Sequence, residues 1–240
     1  VLIVAAAAAL GCGCGREGKD GAAPSPAPAA TKARTALRDV KLTGVRPPPS
    51  SPPVSEASPE SLPSFTPPPT EAMIEEYRRE LAAATEAIKA DAKDAGAFSR
   101  RAEAKRELGD YSGAIRDYGR AIALSPGNAA LYLERARAGY RSGNVRIVLD
   151  DSSRAIELDP SLAAAYALRA RARSENAEHR GAVEDWSKVI EGDPKNVEAY
   201  RRRGTARLAL GDAEGACADW RRAKGMGDAE SRELIRFYCW

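Results

Sequence analysis

The stretch Ala95–Asn128, AGAFSRRAEAKRELGDYSGAIRDYGRAIALSPGN, decides the fold, because its pattern returns three more times at an interval of 34 residues. Phe98, Tyr132, Tyr166 and Tyr200 keep that spacing, and so do Pro126, Pro160 and Pro194. Residues with different structural jobs thus share one period, which marks a stacked helical array whose units cannot bury their apolar faces alone. Each unit reads as two helices. In the first, helix A covers about residues 96–108 and Gly109 supplies the positive φ that ends it; helix B covers about residues 112–124 until Pro126 stops it. Small residues fall where the helices must approach: Ala102, Ala136, Ala170 and Gly204 on helix A, and Ala114, Ala182 and Ala216 on helix B. The residue-98 series fills the space between them, together with Tyr118, Trp186 and Trp220.

Working outward, Met73, Ile74, Tyr77, Leu81, Ala84 and Ile88 form one apolar stripe at helical spacing, and Thr70 is placed to cap it. Shifted by one period, Leu81, Ala87 and Ile88 match Ile115, Ala121 and Ile122, so residues 70–94 read as a second helix without its first. Before them lies a tract of a different kind: 13 of the 16 prolines precede residue 70. Residues 15–69 hold too few large apolar side chains to offset the entropy of ordering and are expected to be a disordered tether, with Thr31–Arg46 its one stretch of apolar spacing. The chain opens on VLIVAAAAAL, too short to span a bilayer and suited to the centre of an export signal. It has neither a basic leader nor an initial Met, so residues 1–14 are expected to be a truncated signal. Ala9-Leu10-Gly11-Cys12 is similar to a bacterial lipobox, making Cys12 a lipidation candidate; plain secretion and an Ala-rich start that happens to contain Cys are the alternatives.

The repeated residues resemble the tetratricopeptide repeat family. The resemblance is carried by Arg101-Ala102, Arg135-Ala136, Arg169-Ala170 and Arg203-Gly204, by Asp117-Tyr118, Asp185-Trp186 and Asp219-Trp220, and by the turn glycines and terminal prolines. It implies an all-α, right-handed superhelix of stacked helix-turn-helix repeats at 95–128, 129–162, 163–196 and 197–227. A capping half-repeat at 70–94 precedes them and a C-terminal capping helix at 228–240 follows. Two units depart from the pattern. Unit two has Ser152 where an aromatic is expected, and unit three has Asn176-Ala177 in place of the turn Gly, so Asn176 is expected to take up the left-handed turn.

The inventory excludes most chemistry. His179 is the only histidine, and no acidic cluster stands apart from the repeat, so there is no triad, zinc set or phosphate loop, and neither enzymatic activity, a metal nor a cofactor is expected. From residue 71 onward Lys and Arg number 30 and Asp and Glu 29, too balanced a charge to attract nucleic acid. Arg101, Arg135, Arg169 and Arg203 form a ladder, and Asp117, Asp151, Asp185 and Asp219 follow each by 16 residues. In an antiparallel hairpin the two sit at one height, so a structural ion-pair ladder is expected rather than a binding stripe.

In this family helix A lines the inner, concave surface, and the resemblance places Arg137, Tyr140, Arg141, Arg171 and Arg201 there, with Arg202 beside them. Such a groove suits an acidic peptide or a free terminal carboxylate; an ordinary solvated face of an Arg-rich protein is the competing reading. The clamp by which some members hold chaperone tails needs Lys and Asn where this chain has Ser99, Glu103, Glu134 and Leu168, which argues against that use. Cys217 and Cys239 are a disulfide candidate, the alternative being a small core residue and a loose thiol. Together these readings describe a non-enzymatic scaffold of the bacterial envelope, exported and either lipid-anchored or secreted, whose partner is another protein or peptide. A pilot factor for an envelope complex and a self-associating structural protein are the alternatives.

Overall fold

The structure, a computed structural model, describes residues 70–239. The signal-like segment with Cys12, the tether and its Thr31–Arg46 stretch lie outside the described residues. Ten α-helices and no strand occur among the described residues. They are α1 (Glu71–Ala90), α2 (Ala95–Glu107), α3 (Tyr111–Leu124), α4 (Ala129–Arg141), α5 (Val145–Leu158), α6 (Ala163–Glu175), α7 (His179–Gly192), α8 (Val197–Ala209), α9 (Ala213–Gly225) and α10 (Ala229–Tyr238). Helices α2 to α9 pair as four A–B hairpins, and each hairpin packs on the next, giving the all-α superhelical array of a repeat protein. Helix α1 packs on α2 as an isolated helix B, and α10 packs on α9. None of these helices is long and apolar enough to cross a membrane.

Eight of the ten helices begin on a side-chain cap. Thr70, Asp94, Asp110, Asn128, Asn144, Asn196, Asp212 and Asp228 each accept a hydrogen bond from a backbone N–H in the first turn, one of the donors a helix start leaves unpaired. The two exceptions are both in unit three, where Leu162 and Glu178 supply no cap to α6 and α7.

The same unit has the unusual turn. Gly109, Gly143 and Gly211 sit at positive φ, and the equivalent place in unit three, one period from Gly143 and from Gly211, is Ala177, at φ 60. Asn176, expected to take this turn, instead keeps φ −88 and closes α6 as its C-cap. The correction is one of register: the left-handed residue is the second after the helix, and that place belongs to Ala177. Its Cβ makes the conformation unfavourable by about 1–2 kcal/mol.

Between helices the small residues are fully buried: Ala102, Ala136 and Ala170 have no exposed surface. Tyr118, Trp186 and Trp220 pack beside this row and are at most 1% exposed, each contributing about 2–3 kcal/mol by burial. Gly204 is required by one of them. A Cβ there would lie 2.6 Å from Trp220 Nε1, and the indole uses the open space to donate to the Arg201 carbonyl at 3.1 Å. One unit earlier Ala170 takes the place of Gly204, and Trp186 Nε1 is buried without a partner.

Unit two fills its core differently. Ser152 is fully buried in the aromatic's place with its hydroxyl unpartnered, and the apolar cluster of unit two is built instead on Leu133, Val148 and Leu168, with the half-buried Tyr140 against them. A second exchange accompanies it. Lys105, Arg173 and Arg207 each stand opposite a glycine, Gly113, Gly181 or Gly215, whereas unit two has Gly139 opposite Ile147. In unit three the Arg173 side chain occupies the space beside Gly181, and in unit two Ile147 occupies that beside Gly139, so the bulk has moved from helix A to helix B.

Unit three is accordingly the easiest to stabilise. Replacing Ala177 by Gly relieves the left-handed strain and is expected to stabilise the array by about 1 kcal/mol, the relief being offset in part by the freer unfolded chain. Thermal unfolding followed by circular dichroism measures it. The same replacement of exposed Ala83, in the middle of α1, should instead destabilise by a similar amount.

Candidate functional site

The ladder residues come together as rungs. Arg101 donates to Asp117 through Nε at 2.7 Å and Nη2 at 2.6 Å. Arg135 makes the same fork on Asp151 at 2.7 and 2.7 Å, Arg169 on Asp185 at 2.9 and 2.7 Å, and Arg203 on Asp219 at 2.9 and 2.8 Å. Each guanidinium also lies over the aromatic ring three residues before it, Phe98, Tyr132, Tyr166 or Tyr200, at 5.5–5.9 Å from the centroid. A second cation completes three of the four: Lys105 Nζ reaches Asp117 at 2.7 Å, Arg173 reaches Asp185 at 2.8 Å and Arg207 reaches Asp219 at 2.9 Å. Gly139 leaves Asp151 with Arg135 alone. The four carboxylates are nearly buried and saturated by donors within the chain, so the ladder holds helix A to helix B and offers nothing to a ligand.

The helix A face is where the remaining polar groups collect, and its junctions are bridged in turn. From α2 to α4, Arg106 faces Glu134 at 3.9 Å, while Arg106 also meets Glu107 at 2.8 Å. From α4 to α6, Tyr140 donates its hydroxyl to Glu175 at 2.7 Å. From α6 to α8, Arg171 Nη2 spans both oxygens of Glu198 at 2.7 and 2.8 Å, and Arg202 Nε donates to the same carboxylate at 2.6 Å. From α8 to α10, Arg201 pairs with Glu230 and lies 3.5 Å from Asp228. Burial raises the Tyr140 phenol above its ordinary pKa, and the bond to Glu175 raises it further. Glu198 shows the opposite balance: burial favours its neutral form, but the bonds from Arg202 and Arg171 outweigh this and lower its pKa.

Six side chains on this face were expected to bind a partner, and the structure separates them. Arg171 and Arg201 pair with carboxylates of neighbouring helices, Arg202 shares Glu198 of its own helix with Arg171, and Arg201 is only 12% exposed. Tyr140 packs half-buried against the core of unit two with its hydroxyl committed. Arg137 and Arg141 remain exposed, one helical turn apart on α4. Arg137 uses Nε towards Glu134 at 3.3 Å, and Arg141 uses Nε towards the Tyr111 hydroxyl at 3.3 Å with its guanidinium 5.7 Å above the Tyr111 ring. Both side chains are exposed and are steadied by contacts through Nε. The acids that neutralise the others were not singled out from sequence. Glu198 was legible, for it takes the inner-facing second place of unit four, where the earlier units have Gly96, Ala130 and Ala164.

Two hollows lie elsewhere. A cleft of about 580 Å³ is lined by Ser112, Ile115, Asn144 and Ile147 at the turn of unit two, and one of about 490 Å³ by Lys195, Arg221, Arg222 and Met226. No group of three or more His, Cys, Asp or Glu side chains with metal-binding geometry occurs among the described residues. At the C-terminal end Cys217 and Cys239 form a disulfide, with Cα atoms 5.7 Å apart.

Comparison with known proteins agrees with this architecture. Residues 102–143 match the TPR repeat family. No curated protein matches the chain. Among solved structures, MamA aligns with a TM-score of 0.60 at 22% identity, over 69% of this chain and 88% of its own. MamA from Desulfovibrio magneticus RS-1 aligns with a TM-score of 0.60 at 17% identity, over 62% of this chain and 85% of its own. YrrB, described as a TPR protein with an unusual peptide-binding site, aligns with a TM-score of 0.62 at 18% identity, over 69% of this chain and 86% of its own. At these identities the likeness concerns the fold.

The rungs carry two expected outcomes. Asp185→Ala strands Arg169 and Arg173 together and should destabilise by about 3–5 kcal/mol, whereas Asp151→Ala strands Arg135 alone and should cost less. Equal melting temperatures for the two variants would contradict this ordering. For Asp117, burial favours the neutral acid, but hydrogen bonds from Arg101 and Lys105 prevail and its pKa is lowered. A lowered folded pKa means stabilisation that is complete above the unfolded value of about 4 and is lost as the pH falls through the folded value. The stability gap between the native chain and Asp117→Asn, measured by denaturant titration, should therefore narrow from pH 7 to pH 3.

Proposed function

From an array of tetratricopeptide repeats, we propose that this protein is a non-enzymatic scaffold whose helix A face binds another protein through an acidic segment or a terminal carboxylate, with α4 as the point of contact. One observation carries the reading: Arg137 and Arg141 are the exposed cations of that face whose guanidinium ends are not held by a carboxylate of another helix. Two guanidinium groups a helical turn apart can receive one bidentate carboxylate or two neighbouring ones by charge-assisted bonds. Anchoring through Nε reduces the rotamer freedom lost on binding, most strongly for Arg141 over Tyr111. The second places of α4 and α6, and the fifth of α6, hold small side chains, Ala130, Ala164 and Ala167, which would let a peptide backbone approach. YrrB, of similar fold, has a peptide-binding site.

We further propose that the protein is exported and resides in the cell envelope, lipid-anchored through Cys12 or secreted. The apolar opening, the lipobox-like Ala9-Leu10-Gly11-Cys12 and the Cys217–Cys239 disulfide support this, since disulfides persist in oxidising compartments.

A panel of acidic peptides, each with a free and an amidated carboxyl terminus, tests the contact by fluorescence anisotropy. The double variant Arg137→Glu, Arg141→Glu should weaken binding at least about tenfold, as expected for lost charge-assisted bonds, while leaving the melting temperature unchanged. Binding of the native chain should weaken as salt is raised. Unaltered affinity in the double variant would remove α4 from the site.

A further inference from the structure

Helix α10 is held at its two ends by different means. At its start Asp228 accepts a hydrogen bond from Ser231 N–H at 2.9 Å, and Arg201 of α8 pairs with Glu230. At its finish the disulfide joins Cys239 to Cys217 on α9 across 22 residues of chain. Between these points α10 has little to hold it. Ser231 is its one fully buried residue, Leu234 and Ile235 are half-buried, and Phe237 and Tyr238 are 45% and 36% exposed. What it covers is better packed than the helix itself, since Trp220 and Ala216 have no exposed surface. The Tyr238 ring stands over Trp220 at 5.8 Å between centroids, directly beside the cross-link.

We propose that α10 is a thiol-controlled latch. With the disulfide formed, the helix seals the C-terminal face of unit four over Trp220. When it is reduced, the C-terminal half of α10 leaves and Trp220 becomes accessible. The reductant is a dithiol. Cys239 is half-buried while Cys217 is only 6% exposed, so the incoming thiolate attacks the Cys239 sulfur and displaces the Cys217 thiolate, which takes up a proton. The second thiol of the reductant then attacks its own sulfur in the mixed disulfide and releases Cys239, which is protonated in turn. Two electrons and two protons have passed to the protein, and the reductant leaves as a disulfide. The latch is independent of what the helix A face binds.

The array beneath the latch has its own supports. Trp220 keeps its bond to the Arg201 carbonyl, and Arg203 and Arg207 keep Asp219, whether or not α10 is in place. Release should therefore be local rather than a loss of unit four.

Hydrogen exchange read by mass spectrometry on the full chain tests this, comparing the oxidised protein, the protein in dithiothreitol, and Cys239→Ser with and without dithiothreitol. Amides of α10 should exchange at least tenfold faster after reduction and equally fast in Cys239→Ser, which should ignore dithiothreitol, while α8 and α9 keep their protection. Acrylamide quenching of tryptophan fluorescence should rise in step, and Trp220→Phe should remove the rise. Unchanged exchange of α10 on reduction overturns the proposal. Loss of protection throughout α8 and α9 overturns it too, because the cross-link would then be holding the repeat and not a latch.

Discussion

The fork of each ladder arginine on its aspartate is the interaction on which the array depends. The aspartate side chains are 3–6% exposed, and a carboxylate removed from water to that extent is tolerated only when paired and hydrogen-bonded. A bidentate guanidinium meets that demand, and the aromatic ring beneath fixes its plane. The consequence is positional. Arg at the seventh place of helix A, an aromatic three residues earlier and Asp on helix B must all be right for any one of them to be acceptable, which explains why all three recur with the period. Arg169 and Arg203 extend the tie between units by donating to Ser153 and Ser187 of the preceding helix B, both at 3.1 Å. In unit one the matching residue is Gly119, so Arg135 has no such bond to make.

Departures from the repeat are compensated where space is involved and left standing where only backbone conformation is. Unit two loses an aromatic at Ser152 and a cation at Gly139; the second loss is matched by Ile147 against Gly139, and the unit's apolar cluster gathers Leu133, Leu168 and Tyr140. A void or an overlap would propagate through a close-packed interior, so the exchanges come in pairs. Unit three shows the other case. Ala177 keeps its left-handed turn and Glu178 supplies no cap, and nothing nearby offsets either. Both are local losses of about 1 kcal/mol that neighbouring units support through packing.

The period made the fold legible, since Phe98, Ala102, Gly109 and Pro126 recur with their spacing and each has one structural meaning. Side-chain partners that change from unit to unit were not legible in that way. Local preference alone puts the left-handed residue of unit three at Asn176, because Asn tolerates that conformation better than Ala. The aligned register with Gly143 and Gly211 points instead to Ala177, and the chain path outweighs the local preference. The helix A face was read from its arginines alone. Whether such an arginine is free depends on a carboxylate some 27 to 29 residues away, Glu198 for Arg171 and Glu230 for Arg201. That separation is shorter than the period, so repeat alignment places the two residues in different columns and hides the pair. The link between Arg141 and Tyr111, 30 residues apart, is hidden for the same reason.

A face whose charges are mostly satisfied within the chain constrains what can bind there. Glu198 already occupies the donors of Arg171 and Arg202, so an acid entering that junction would have to displace a half-buried carboxylate, which weakens the junction's attraction for acidic ligands. The junctions at Arg106 and Arg201 work in the same sense, each cation already holding a carboxylate. In the proposed contact, acidic recognition falls on the exposed arginines of α4, and the rest of the face contributes shape, with small residues Ala164 and Ala167 on α6. Specificity then rests on the distance between a ligand's carboxylate and whatever small or apolar group lies along α6. The internal pairs hold α4, α6 and α8 at fixed separation, so the bridges that cancel the charge of this face are also what makes its remaining geometry selective.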